Sequence, residues 1–264
     1  MRKITVINMK GGVAKTTTVH TFSYGLARRG YRVLMVDLDP QCNLTENSQV
    51  KMEQDNIDLF ELFQNYQDGE PYDSHDAVYP VAQMNEQIDG KLDLMYASLY
   101  MSTADTKFTE VGRESALADI LSQLEDEYDF CFIDTPPTIG LLTANAIVAS
   151  DECLIPATPS YFALNGMNVM IKQISQIKKK MKLKIKVNGI LLTRTTHTLV
   201  SDAMTDEIAE AAKILETSVY STTIRNSTKV EVAQYASEDV LAEDSNVARD
   251  YNEAIDEFLR REGL

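Results

Sequence analysis

Residues 4–17, Ile-Thr-Val-Ile-Asn-Met-Lys-Gly-Gly-Val-Ala-Lys-Thr-Thr, carry side chains and spacing that suit phosphate chemistry. A short, mostly apolar run (Ile4–Ile7) enters a Gly11-Gly12 turn, and a helical pattern begins at Lys15-Thr16. An anion is bound by that order of parts, because the turn's amides and the positive end of the helix converge on one point. Gly11 and Gly12 let the backbone come close. Lys15 can reach the β- and γ-phosphates of a nucleotide, and the Thr16 hydroxyl can ligate Mg²⁺. The common phosphate-loop pattern G-x-x-x-x-G-K-[ST] is broken, because Met9 and Ala14 stand at its two glycine positions. An isolated Gly-Gly pair before a lysine reads better as a solvated turn, so the rest of the chain has to decide.

The elements that would position this stretch form a regular series. Ile4–Ile7, Val33–Val36, Leu92–Met95, Phe130–Ile133, Cys153–Ile155 and Ile185–Leu192 are short apolar runs of the kind covered on both faces. Between them lie amphipathic stretches, among them Thr16–Arg29, Glu114–Glu127, Leu164–Met181 and Ser201–Leu215. The alternation predicts a doubly wound α/β fold, a mostly parallel sheet with helices on both faces. The segment from Glu46 to Gly90 holds eleven acidic residues and one lysine. It reads as a surface excursion, with a helical apolar face over Ile57–Asn65, inside one domain spanning residues 1–264. Two of the strands end in carboxylates, at Asp37 and Asp39 and at Asp134. Either aspartate by itself would pass for a turn former.

Three boxes in register change that reading. Lys10-Gly-Gly-Val-Ala-Lys-Thr-Thr17 resembles the deviant Walker A box of the ParA/MinD ATPases, P-loop proteins with an extra lysine before the glycines. Val33-Leu-Met-Val-Asp-Leu-Asp-Pro-Gln41 is similar to the D-x-D-P-Q switch of that family, and Phe130-Cys-Phe-Ile-Asp-Thr-Pro-Pro137 to its Walker B box. Gly140-Leu-Leu-Thr-Ala-Asn145 and Ser160-Tyr-Phe-Ala-Leu-Asn-Gly166 resemble the Soj/ParA branch. The resemblance covers nearly the whole chain and is weakest between Glu46 and Gly90.

The resemblance implies roles residue by residue. Lys15 handles the phosphates of ATP, Thr16 holds Mg²⁺, and Thr17 with the amides of Gly11, Gly12, Val13 and Ala14 holds the α-side phosphates. Lys10 crosses a homodimer interface to the partner's nucleotide. Asp39 positions the attacking water, while Asp37 and Asp134 contact the ion through its waters. Arg225-Asn226 resembles an element that closes over the base, and a helix start at the surface accounts for the same pair. Two positions depart from the family pattern. Ala14 replaces a glycine, so either the site needs no positive φ or strain is tolerated there. Cys42 replaces the glycine after D-P-Q, as a small filler or as a redox-sensitive thiol.

Charge separates the function classes. Lys and Arg total 25 against 40 Asp and Glu, a net −15, which excludes a protein that is basic all over. No run of 18 apolar residues occurs, and no apolar segment follows the basic start, so neither a membrane span nor a secretory signal is expected. Cys42, Cys131 and Cys153 are odd in number and far apart, as in a reducing cytoplasm. Cys131 and Cys153 sit in apolar strands as core residues, not in loops suited to a shared iron–sulfur cluster. From Glu231 to Leu264 ten acidic and three basic side chains accompany an apolar face of Val247, Tyr251, Ile255, Phe258 and Leu259. That face suits packing on the domain, not a membrane surface.

The one basic cluster is Lys178, Lys179, Lys180, Lys182, Lys184 and Lys186. A helix dipole accounts for the first three; the alternation Lys182, Lys184, Lys186 predicts a charged row on a strand face, a candidate DNA-binding patch. The resemblance adds Lys229 to that patch, since with a one-residue insertion it falls near the family's basic position after the R-N element. Arg194 follows Leu191-Leu-Thr193 too closely to match the family's DNA residue without a shift. The resemblance then implies a cytoplasmic, nucleoid-associated partition ATPase that binds DNA non-specifically as an ATP dimer and meets a ParB-like adaptor. The other reading is a MinD-like positioning ATPase acting on a membrane or protein assembly. The phosphate loop begins at Met9, so no preceding helix-turn-helix domain is expected.

Overall fold

The computed structural model of the chain describes residues 1–50, 53, 55–81, 89–196 and 198–264, and the backbone alone at 161–168, 173, 199, 200 and 202. Its strands are β1 (Arg2–Val6), β2 (Arg32–Asp37), β3 (Tyr79–Pro80), β4 (Lys91–Met95), β5 (Phe130–Asp134), β6 (Glu152–Ala157) and β7 (Lys186–Leu192). They form one sheet in the order β3-β4-β2-β5-β1-β6-β7. The six expected runs are the parallel strands. The edge strand β3 pairs antiparallel with β4 and carries Pro80, a residue that an edge tolerates. The helices are α1 (Lys15–Ala27), α2 (Asn43–Asn47), α3 (Leu59–Asp68), α4 (Ala104–Lys107), α5 (Ala116–Ser122), α6 (Leu141–Ala149), α7 (Tyr161–Met181), α8 (Leu199–Ile214), α9 (Thr228–Ala236) and α10 (Asn246–Glu262).

Alternate residues of each central strand serve opposite faces. Val33 and Met35 of β2, Phe130 and Phe132 of β5 and Leu154 of β6 join the core under α1 and α10. Leu34, Val36, Cys131 and Ile133 join a second core, under α3, α5 and α6. Cys153 and Ile155 enter a third with Met170 of α7 and Ile208 of α8. This is period-two alternation with both faces apolar, the pattern of strands covered on both sides.

Two segments refine the expected helices. Residues 113–115 form a 3₁₀ turn before α5, which ends at Ser122 instead of running to Glu127. Tight bonds from Leu124 to Leu121 and from Glu127 to Leu124 follow. Glu125, Asp126 and Glu127 there would oppose the negative end of a continued helix. In the acidic excursion, Asp58 and Glu61 form a capping box for α3, which buries Leu59, Phe60, Leu62 and Phe63. Residues 51, 52, 54 and 82–88 of that excursion lie outside the described residues. At the other end of the chain, α10 buries Val247, Tyr251, Ile255 and Phe258, and Phe258 meets Phe22 of α1 at 5.9 Å. Among the described residues no helix is long and apolar enough to cross a membrane.

Candidate functional site

The three boxes meet because the sheet registers them. Val6 pairs with Asp134, and Asp134 with Asp37, on the last rung of β1, β5 and β2. The phosphate-loop residues leave β1 at that rung, where β1 sits between β5 and β6 and the connections wind to opposite sides. Open α/β sheets bind ligands at such a switch point, outside the carboxyl ends of the strands. A cavity of about 480 Å³ lies there, lined by Gly11, Gly12, Ala14, Lys15, Thr16 and Thr17 and faced by Asp39, Arg225 and Asn226.

The loop is held by side chains, and among the described residues the amides of Gly11, Gly12, Val13 and Ala14 have no acceptor. Asn8 Nδ2 donates to Pro156 O, and Asn8 Oδ1 accepts from the Lys10 amide. Thr193 at the end of β7 donates to Val13 O at 3.0 Å. The first α-helical bond of α1 runs from the Thr18 amide to Ala14 O. The amides of Lys15, Thr16 and Thr17 therefore have no acceptor within the helix, and they present partial positive charge to the cavity. Gly12 has φ of 73°, and Ala14 also adopts the left-handed region at 64°. Of the two alternatives for Ala14, the one without positive φ is overturned: the turn demands it, and the alanine bears the strain. Cys42 does the same at 55°.

Charge in the site is unbalanced. Lys15 is buried, and burial lowers its pKa while Asp134 and Asp39 act against that through space. Among the described residues its ammonium enters no hydrogen bond or ion pair, a costly state that an anion would relieve. Asp37 is fully buried and accepts the Thr45 amide and hydroxyl and the Asp39 amide. Asp134 accepts from the Thr16 hydroxyl at 2.6 Å through Oδ2, while its Oδ1 is buried without a partner. Burial raises the pKa of both carboxyls, and a neighbouring charge adds to it: that of Asp37 at Asp134, and that of Asp39 at Asp37. Among the described residues no group of three or more His, Cys, Asp or Glu could hold a metal ion. The donor set instead suits an ion that brings its own waters and phosphate oxygens: one hydroxyl, one orphaned carboxylate oxygen and a second carboxylate nearby. Mg²⁺ is bound in that manner.

Comparison with known proteins agrees with the geometry. Residues 1–187 match the family described as AAA domain. The sporulation initiation inhibitor protein Soj of Bacillus subtilis is 30% identical over 235 residues, 87% of this chain and 86% of Soj. The chain belongs to the ParA/Soj family of partition ATPases. The chromosome partitioning protein ParA of Myxococcus xanthus is 36% identical over 198 residues, 73% of this chain and 64% of that one. Among solved structures, cobyrinic acid a,c-diamide synthase from Mycobacterium smegmatis with a bound ATP analogue and magnesium superposes with a TM-score of 0.81. It is 27% identical and covers 98% of this chain and 94% of its own.

Other residues singled out in this ParA/Soj chain lie around or away from the cavity. Lys10 is half-buried outside the cavity lining, and its ammonium donates to Ser160 Oγ at 2.9 Å. The Ser160–Gly166 motif beyond Ser160 has its side chains outside the described residues. Val13 lies beneath the loop, 1% exposed. Arg225 and Asn226 line the cavity and also lead into α9, whose N-cap is Ser227. The Arg225 guanidinium is paired with Asp250 of α10 at 2.7 Å. Arg194, left-handed at φ 53°, lines the cavity too and donates to Gly12 O at 3.4 Å. Cys42 packs beside the second core, and burial with nearby carboxylates pushes its thiol up to about 11, the reverse of a reactive thiolate. Cys131 and Cys153 are fully buried core residues, as expected.

The lysine cluster corrects the expected patch. Lys182 is the left-handed C-cap of α7, Lys184 lies in the link, and only Lys186 belongs to a strand. Exposure still alternates, because Leu183 and Ile185 turn inward, so the row exists on a link and not on a strand face. Lys229 is not part of it. It stands in the first turn of α9, paired with Glu243 at 2.7 Å, beyond the carboxyl end of β7. Lys186 begins that seven-residue strand, so roughly 20 Å of sheet separates the two. Sequence reasoning also missed Gln234, Asn43 and Tyr251 in the cavity lining. Tyr251 carried a signal only as a core residue, while Gln234 and Asn43 carried none.

Proposed function

We propose that the chain binds Mg·ATP in this cavity and hydrolyses it, and that the ATP state is a homodimer that binds DNA non-specifically. The observation that carries the reading is the buried, unpaired Lys15 ammonium beside the free amides of α1 and facing Asp39. That arrangement is short of an anion with several oxygens, and the cavity volume suits a nucleotide. The solved relative with an ATP analogue and magnesium supports the choice of ligand. Lys15 would meet the β- and γ-phosphates, Thr17 and the loop amides the α-side phosphates, and Thr16 the ion, with Asp37 and Asp134 behind it. When bound, Mg²⁺ supplies charge neutralisation at the phosphate oxygens. Asp39, anchored by its backbone to Asp37 and by its carboxylate to the Gln41 amide, is the group left to orient a water. Asn226 borders the part of the cavity that a base would fill.

Lys10 is not part of its own cavity's lining and meets only the neutral Ser160 hydroxyl, which leaves its charge for a partner subunit's phosphates. The whole of residues 1–264 acts as one unit in this scheme, in the cytoplasm and on the nucleoid. A ParB-like adaptor stimulates turnover, and the basic end at Lys178–Lys186 supplies the DNA contact. Two variants test the core of the reading. Lys15→Ala should abolish ATP binding measured by calorimetry, with thermal stability retained. Asp39→Ala should still bind ATP but lose hydrolysis and accumulate as dimer. Hydrolysis at the wild-type rate by Asp39→Ala refutes its role. If the wild-type chain with ATP fails to sediment with DNA at low salt but sediments with anionic liposomes, the positioning reading replaces the partition one.

A further inference from the structure

Helix α9 lies over the cavity with little packing of its own. None of its residues is buried, and Val230 and Ala233 only touch the edge of the first core. Polar contacts give it its position. Gln234 Nε2 donates to Thr17 Oγ1 at 2.9 Å, and Gln49 Nε2, just past α2, donates to Ser237 O at 2.8 Å. The helix is thus clamped between the phosphate loop and the segment that follows D-x-D-P-Q.

The Gln234 contact fixes a proton. A threonine hydroxyl has one hydrogen to give and two lone pairs to accept with, whereas an amide nitrogen only donates. With Nε2 occupying a lone pair, the Thr17 hydroxyl must direct its own hydrogen elsewhere. Among the described residues no acceptor takes it, and Thr17 lines the cavity. We infer that Gln234 is a positioning residue for the nucleotide: it turns the Thr17 hydroxyl into a donor aimed at phosphate oxygen, and it couples the order of α9 to occupancy of the site. The inference rests on the nucleotide reading of the cavity, which the wild-type arm of the test examines separately.

The test uses the full chain with Mg²⁺ and the slowly hydrolysed analogue AMP-PNP. Gln234→Met keeps the length and removes the donor, and Gln234→Glu substitutes an acceptor that repels phosphate. Loss of one oriented hydrogen bond should weaken AMP-PNP binding by roughly threefold to tenfold in Gln234→Met, and by more in Gln234→Glu. The KM for ATP should rise more than kcat falls. Hydrogen exchange of Thr228–Ala236 should slow on AMP-PNP binding in the wild type and lose that dependence in Gln234→Met, while thermal stability without nucleotide stays within about 2 °C of wild type, since Gln234 is only half-buried and the methionine keeps its bulk. A merely structural glutamine would lower stability and leave the KM-to-kcat split unmoved. Equal affinity and equal nucleotide-dependent protection in wild type and Gln234→Met overturn the inference. No AMP-PNP binding by the wild type overturns the nucleotide reading itself.

Discussion

Replacing Ala14 by glycine should stabilise the protein, against the usual direction of that substitution. Ala14 caps α1 at φ 64°, ψ 34°, a left-handed conformation that costs an L-residue about 1–2 kcal/mol relative to glycine. Glycine in turn loses about 0.4–1 kcal/mol through the greater freedom of the unfolded chain. The balance is a gain of roughly 0.5–1 kcal/mol, or about 1–4 °C in Tm for a chain of this size. The control is the same change in a regular helix. Ala144 lies inside α6, where its amide bonds to Gly140 O, and Ala144→Gly should cost about 0.5–1 kcal/mol. Cys42→Gly should fall between the two. It relieves the same strain at φ 55°, yet deletes a half-buried side chain packed against the second core, a loss of about 1 kcal/mol. Urea denaturation with unchanged slope reads all three as shifts of midpoint. If Ala14→Gly loses as much as Ala144→Gly, the loop holds no strain at that residue.

Further outcomes follow from the same geometry. Lys10→Ala should reduce AMP-PNP-dependent dimerisation in size-exclusion chromatography while leaving the monomer's stability intact; a variant that dimerises as well as wild type returns Lys10 to a solvated loop residue held by Ser160. Neutralising Lys182, Lys184 and Lys186 together should lower DNA affinity on every sequence alike and flatten its salt dependence by a slope of roughly one for each phosphate no longer neutralised. An unchanged slope makes the cluster a solvated surface. Glu257 is buried, which raises its pKa, but Ser221, Arg261 and the Thr222 amide outweigh burial and bring it down to about 2. A depressed carboxylate stabilises above its unfolded pKa, so its contribution, about 2–3 kcal/mol, should be present at neutral pH and be lost as pH falls from about 4.5 towards 2. Glu257→Gln should therefore lose stability at pH 7 and converge with wild type near pH 2–3; parallel curves across that range sink the assignment.

Most of the layout was legible because it rests on short-range patterns. The central strands announce themselves through runs such as Val33–Val36 and Phe130–Ile133, where every residue is apolar because both faces are covered. The site was legible because the three boxes sit at strand ends, and the parallel register of β2, β5 and β1 brings strand ends together whatever the intervening sequence does. The parts that were misread depend on where a chain segment turns. Lys182 looked like the start of a strand row, yet it closes α7 in a left-handed cap, a role that glycine usually advertises and lysine does not. The length of α5 was overestimated because its apolar period continues through Leu124 and Tyr128 after the helical bonds have stopped. Gln234 was invisible for a different reason. Its importance comes from a hydrogen bond with Thr17, 217 residues away in sequence, and a lone glutamine on a helix has no pattern to betray it.

The placement of the lysine cluster constrains how ATP could govern DNA binding in the proposed scheme. The cavity opens at the carboxyl ends of the strands, whereas Lys186 begins β7 and Lys182 and Lys184 precede it, at the opposite end of the sheet. Between them stands a sheet packed on both faces, which does not bend to pass on a local shift of the phosphate loop. Nucleotide therefore has no short route by which to rearrange the lysines. It can change only how many such patches one particle presents. A chain of net charge −15 repels DNA at long range, so a single patch binds weakly. Two patches held on one rigid dimer act on the same duplex at high effective concentration, and engaging the second costs no further encounter. In that scheme ATP dependence is a property of assembly, and it makes the lysines, the interface lysine Lys10 and the cavity separable by mutation even though all three are required for the same outcome.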